Sequence, residues 1–139
     1  MANHQGVVVM GASENSQLVR NAYEALGKGD MDTVTGLLAP DIQWRIMGHN
    51  PLTGDYVGPL AVLGFIQKLV EGTNGTFSVE VFDITASDSH VVALVAEHGE
   101  RNGSSTPLNF AHIWTLSDGK AASFTAWPED QSAVDAFWT

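Results

Sequence analysis

A histidine and a glutamate carry most of the chemistry this chain could perform. His90 to Glu100 and Thr106 to Leu116 read as strands, and Asn102-Gly103 between them favours a two-residue hairpin turn. Such a turn pairs Arg101 with Ser104 and sets Ala93 opposite His112. Opposed residues share a face, so Val95, Glu97 and Gly99 project with Leu108, Phe110, His112 and Trp114. That face is apolar and aromatic apart from Glu97 and His112, which is the composition of a small-molecule cavity. An imidazole there can donate to a ligand carbonyl or exchange a proton near neutral pH. A carboxylate there can take a proton from a ligand or, once protonated, donate one. Each also has a purely structural role open to it: His112 bonded to a neighbouring side chain, Glu97 paired with Arg101 or a histidine. His98 falls on the opposite face beside Leu94, Ala96 and Ala111, where it suits a sheet-to-sheet contact between subunits.

Further candidates surround this pair. His49 and Tyr56 flank a Gly- and Pro-rich loop, expected at one rim of the pocket. Phe65, Phe110, Trp114 and Phe124, with Trp44, are aromatic residues suited to pocket walls or to core packing. Asp41 reads as a turn residue, and Arg45 points away from Trp44. Other chemistries lack their residues. There is no Gly-x-Gly-x-x-Gly, no Gly-x-x-x-x-Gly-Lys and no His-Glu-x-x-His, and five scattered histidines give no metal-ligand spacing. Ser104-Ser105 sits in a turn without the strand-to-helix context of a nucleophilic serine. No cofactor and no metal are therefore expected.

The elements that must position these groups come in a simple order. Ser16 to Leu26 repeats Leu18, Val19, Ala22, Tyr23 and Leu26 at helical spacing, with Ser13 or Ser16 as cap and Gly27 and Gly29 as stop. Asp30 caps a second short helix carrying Val34, Leu37 and Leu38 up to Pro40. Ile42 to Met47 alternates as a strand, and Gly48 to Gly58 reads as a loop. Pro59 opens a third helix, with Val62, Leu63, Ile66, Leu69 and Val70 on one side and Gly72 at its end. Phe77 to Ile84 and Ala121 to Trp127 join the hairpin as further strands, the last entered through Asp118-Gly119. Pro128 to Phe137 is a closing amphipathic stretch. Helices first and a meandering sheet afterwards argue an α+β fold with helices on one sheet face.

At 139 residues the chain suits a single domain, and 44% hydrophobic against 16% charged residues marks it as globular. Six basic residues against sixteen acidic ones leave a formal charge of −10, which disfavours phosphate backbones and anionic membranes as partners. Cysteine is absent, which excludes disulfides and thiolate chemistry. The start, Met1 to Gly6, has no basic region, and Val7 to Met10 is too short for a signal or span. Residues 1–13 are expected to form an arm, residues 14–139 the domain, and the protein is expected in the cytoplasm.

The run Ala22-Tyr23-Glu24-Ala25-Leu26 leading into Gly29-Asp30-Met31-Asp32 resembles the SnoaL-like branch of the nuclear transport factor 2-like superfamily, which includes ketosteroid isomerases and polyketide cyclases. Leu37-Leu38-Ala39-Pro40-Asp41, Gly54 to Gly58, His112-Ile113-Trp114 with Asp118-Gly119-Lys120, and Trp127-Pro128-Glu129-Asp130-Gln131 continue the likeness over residues 14–139. It implies a cone-shaped domain with three N-terminal helices packed on a curved, mostly antiparallel sheet and a short C-terminal helix. It also places Trp44 and Ile46 on the concave side. In the isomerases a first-helix tyrosine position falls on Ala22 here, with Tyr23 on a different side of the helix. The isomerases' proton-shuttling aspartate falls on Ile46, and their hydrogen-bonding aspartic acid on His112. The cyclases share a histidine at His112, but their catalytic aspartate falls on Ala126. Both catalytic sets are broken at the general base, so a standard ketosteroid isomerase or cyclase is not expected. An epoxide hydrolase of this fold would need an inward arginine between two carboxylates, which the pattern lacks.

Three readings follow. The chain could be an acid-base enzyme of isomerase, cyclase or hydrolase type, centred on His112 with Glu97 assisting and a small hydrophobic substrate. It could instead hold a lipophilic ligand without turnover, or be a structural module. Phe137-Trp138 are expected to cap the pocket mouth or a subunit contact. The apolar residues on both faces of Val91 to Ala96 predict a homodimer through the convex sheet face.

Overall fold

A computed structural model describes residues 11–139. The arm and its Val7 to Met10 run lie outside the described residues. The first helix, α1 (Ala12–Lys28), buries Leu18, Val19, Ala22 and Ala25 and ends at Gly29, whose φ of 72° is the left-handed stop that glycine adopts without strain. It begins four residues ahead of Ser16, and neither serine caps it. The Gly11 N–H donates instead to the Glu14 carboxylate at 3.1 Å. Asp30 caps α2 (Met31–Gly36) as expected, accepting from the Thr33 N–H at 3.2 Å.

The chain then departs from the sequence expectation. Strand β1 (Leu38–Ile46) starts before Pro40, so Leu38 and Pro40 are strand residues and not the end of a helix. The Gly48 to Gly58 segment contains a short strand, β2 (Gly54–Val57), paired antiparallel with β1, Tyr56 lying opposite Trp44. Edge pairing of this kind satisfies the outer backbone groups of β1 and leaves little trace in four residues of sequence. Helix α3 (Pro59–Gly72) runs between the expected limits.

The rest is sheet. Strands β3 (Ser78–Ala86) and β4 (His90–His98) are followed by a two-residue ladder, β5 (Glu100–Arg101) with β6 (Ser104–Ser105). Then come β7 (Leu108–Ser117), β8 (Lys120–Pro128) and the closing helix α4 (Gln131–Trp138). The main sheet has the order β2-β1-β8-β7-β4-β3, antiparallel except for the parallel pair β1 and β8. The hairpin register is the expected one: Arg101 pairs with Ser104 and Ala93 with His112. Its long strands break around Gly99 and Pro107, where a residue without an amide hydrogen cannot serve the ladder.

The helices cover one face of the sheet, and Val19, Ile42, Val62, Val91 and Val95 are sealed between the layers. On the strands, Phe82 (60% exposed), Leu94 (47%) and Trp127 (52%) remain open. Among the described residues no helix is long and apolar enough to cross a membrane.

Candidate functional site

The strand register builds the site in rows. Across four strands Ile46, Ala126, His112 and Ala93 lie side by side, and the neighbouring row is Trp44, Phe124, Trp114 and Val91. His112 therefore stands between two alanines, whose small side chains leave room around its ring. The aromatic row beside it is tightly packed. Trp44 stacks on Phe124 at 3.8 Å between centroids, and Trp114 meets both rings edge-on at 5.6 and 4.8 Å.

A chain of hydrogen bonds crosses this floor. The Trp114 indole N–H donates to the Tyr23 hydroxyl at 3.1 Å, the hydroxyl lies 2.7 Å from His112 Nδ1, and His112 Nε2 lies 3.2 Å from Glu97 Oε2. With Glu97 ionised and His112 neutral, one arrangement satisfies every contact. Nε2 carries the proton and donates it to the carboxylate, while Nδ1 accepts from the Tyr23 hydroxyl. The phenol and imidazole planes are 13° apart. Burial pushes the Tyr23 phenol well above the ordinary tyrosine range, the indole hydrogen bond opposing and the Glu97 charge adding to the effect. Tyr23 is therefore a permanent donor. His112 is 4% exposed, and Glu97 Oε1 makes no hydrogen bond among the described residues.

These groups border a cavity that opens to solvent, the empty space being about 550 Å³ with the solvent at its mouth included. Helix α1 contributes Ala22, Tyr23 and Leu26, α2 contributes Val34, and α3 contributes Phe65, Ile66 and Leu69; Phe77 and the sheet supply the rest. Of the residues anticipated from sequence, His112, Glu97, Trp44, Ile46, Phe65, Trp114 and Phe124 all border it. A smaller adjoining cavity shares Ile46, Phe65 and Glu97 with the first, and it is bounded by Phe110, Asn50, Gln131 and Trp138.

Three anticipated residues lie elsewhere. Val95 is sealed in the core and borders neither cavity. Exposed His49 is bound through its backbone N–H to Asp135 at 3.0 Å, because its loop is anchored to α4. Tyr56 packs behind Phe65 and donates to the Leu52 carbonyl at 2.8 Å, so its hydroxyl is spent within its own loop. Neither residue borders the main or the adjoining cavity.

Glu97 pairs with His112 and not with Arg101. Arg101 instead holds the C-terminal helix, donating to the Phe137 carbonyl at 3.1 Å and to the Trp138 and Gly72 carbonyls at 3.4 Å. Phe137 and Trp138 are accordingly buried, with Trp138 closing the adjoining cavity. His98 faces away from the cavity, 2.9 Å from Glu80, and Arg45 pairs with Asp55.

Tyr23 is the residue that sequence reasoning passed over. It had been set apart from Ala22, yet both border the cavity. The signal was present in its place within the stripe of Val19, Ala22 and Leu26, since residues three and four apart share a helix face. Among the described residues no cluster of three or more His, Asp or Glu side chains could hold a metal ion.

The fold and the matched segment settle the family. Residues 19–124 match the model of the SnoaL-like domain, and the chain belongs to that family. Its fold is the nuclear transport factor 2-like one. The chain is similar to Bal32a from a soil-derived mobile gene cassette, with a TM-score of 0.89 and 26% identity over 92% of this chain and 98% of that one. An NTF2-like protein of Burkholderia xenovorans LB400 superposes with a TM-score of 0.81 at 23% identity, over 94% and 99% of the two chains. A protein of Jannaschia sp. CCS1 described as a SnoaL-like polyketide cyclase gives 0.76 at 16% identity, over 92% and 94%.

Proposed function

We propose that the chain binds one small, mainly hydrophobic molecule in the main cavity and performs acid-base chemistry on it. The observation that carries this reading is the Tyr23–His112–Glu97 chain set into an otherwise apolar wall. Both nitrogens of His112 are engaged, so the group that meets the ligand is Glu97 through Oε1. His112 fixes the carboxylate from behind, and Tyr23 fixes the imidazole. Glu97 then takes a proton from the substrate and returns it at a neighbouring atom, the pattern of an isomerisation or cyclisation. The departures at Ile46 and Ala126 leave no second carboxylate to share the work.

A thermal-shift screen with steroids, terpenoids, aromatic polyketide-like compounds and epoxides tests this. A ligand at about a hundredfold its dissociation constant adds roughly 2.7 kcal/mol of stability. The hit should be turned over by the natural protein and not by Glu97→Gln. If no compound raises the melting temperature, the pocket reading fails for these classes. A ligand held without turnover supports a second reading, a non-catalytic carrier. That reading is favoured by the engagement of both His112 ring nitrogens within the protein.

We also propose a homodimer through the open sheet face, where the large apolar side chains of Phe82, Leu94 and Trp127 are exposed. In sedimentation the protein should run at twice its 14.8 kDa mass, and Leu94→Glu should halve it. A natural chain that sediments as a monomer at micromolar concentration removes the proposal.

A further inference from the structure

We propose that the cavity is shaped for a lipophilic ammonium ion, an apolar body carrying one protonated amine that donates to Glu97. The inference rests on the pocket reading above and holds with or without turnover.

Most of the donors at the cavity floor are already engaged within the protein. The Tyr23 proton is directed at His112 Nδ1, the Nε2 proton at Glu97 Oε2, and the Trp114 proton at Tyr23. The Trp44 N–H is buried without a partner among the described residues, and the one charged group left for an occupant is the free oxygen of Glu97, which calls for a donor. Charge narrows the donor further. Glu97 is the only carboxylate bordering either cavity, and no lysine or arginine borders them among the described residues. Its side chain is 14% exposed, and its partner His112 carries a positive charge only when protonated. A carboxylate removed from water without a cation is costly, and an ammonium ligand provides the missing one.

The walls suit the same ion. Tyr23, Trp44, Phe65, Phe77, Trp114 and Phe124 all border the main cavity, and aromatic faces attract cations. The chain's net charge of −10 draws cations toward it and repels anions.

The titratable groups at this floor are Tyr23 from α1, Glu97 from β4 and His112 from β7, while the lining residues from α2, α3, β1, β3 and β8 carry no charge.

Three probes with one skeleton test the idea: 2-(1-naphthyl)ethylamine, 2-(1-naphthyl)ethanol and 1-naphthylacetate, titrated calorimetrically at pH 8. The amine should bind on the order of tenfold tighter than the alcohol at pH 8, and the carboxylate weakest of the three. Glu97→Gln should erase that preference. An alcohol that binds as tightly as the amine overturns the ammonium inference and leaves the pocket standing. So does an amine preference that survives Glu97→Gln. Failure of all three to bind removes the pocket reading as well. Should Glu97→Gln not fold, the ranking of the three probes on the natural chain decides alone.

Discussion

Tyr23→Phe should destabilise the domain by about 2–4 kcal/mol, although it deletes a single oxygen. That oxygen accepts the Trp114 indole hydrogen and engages His112 Nδ1, and both partners are buried. Phenylalanine fills the same space and leaves a donor and an acceptor without partners, each costing about 1–3 kcal/mol. His112 cannot recover the loss by moving its proton to Nδ1, because Nε2 would then face the Glu97 carboxylate with a lone pair. Urea unfolding should show the midpoint falling at constant slope. Trp114→Phe in the Tyr23→Phe background should cost less than in the natural chain, since the stranded indole donor disappears with it. A loss below about 0.5 kcal/mol for Tyr23→Phe, the range of ordinary surface substitutions, would show that water reaches these groups and that the chain of bonds is not sealed.

Local rules carried the reading of the sheet far, and they stopped at contacts between elements distant in sequence. Asn102-Gly103 and strict alternation are enough to place Glu97 and His112 on one face, because a two-residue turn admits a single register. Pro59 and Gly72 bound α3 through properties of their own backbones. The Tyr23–His112 bond joins residues 89 apart, and helical periodicity names the face of α1 without naming what it meets. Arg101 is similar. Its hairpin position was legible, but its three carbonyl partners belong to α3 and α4, and only packing brings those ends together. The rim roles expected of His49 and Tyr56 failed for a related reason. Their loop carries a strand of its own and is tied down by Asp135, whose carboxyl the Asn50 side chain and the His49 backbone hold below the usual carboxylate range.

The two central tryptophans should respond differently to the same substitution. Trp114→Phe is expected to cost about 2 kcal/mol more than Trp44→Phe, although both indoles are almost fully buried in one aromatic cluster. The Trp114 N–H has a partner in Tyr23, so its removal gives up a buried hydrogen bond as well as ring volume. The Trp44 N–H is buried without a partner among the described residues. Removing it ends a penalty of about 1–3 kcal/mol, which offsets most of the packing lost when the larger ring goes. Trp44→Ala and Trp114→Ala should keep that order within the usual span of about 3–5 kcal/mol, because the stack of Trp44 on Phe124 and the edge contacts of Trp114 are lost in either case. Chemical denaturation of the four variants measures the difference directly. Equal costs for the two phenylalanine variants would mean that the Trp44 indole finds a partner in solution, water admitted to the cavity being the candidate. Each tryptophan would then be a polar contact to the cavity floor, and the aromatic row would be wetter than its packing implies.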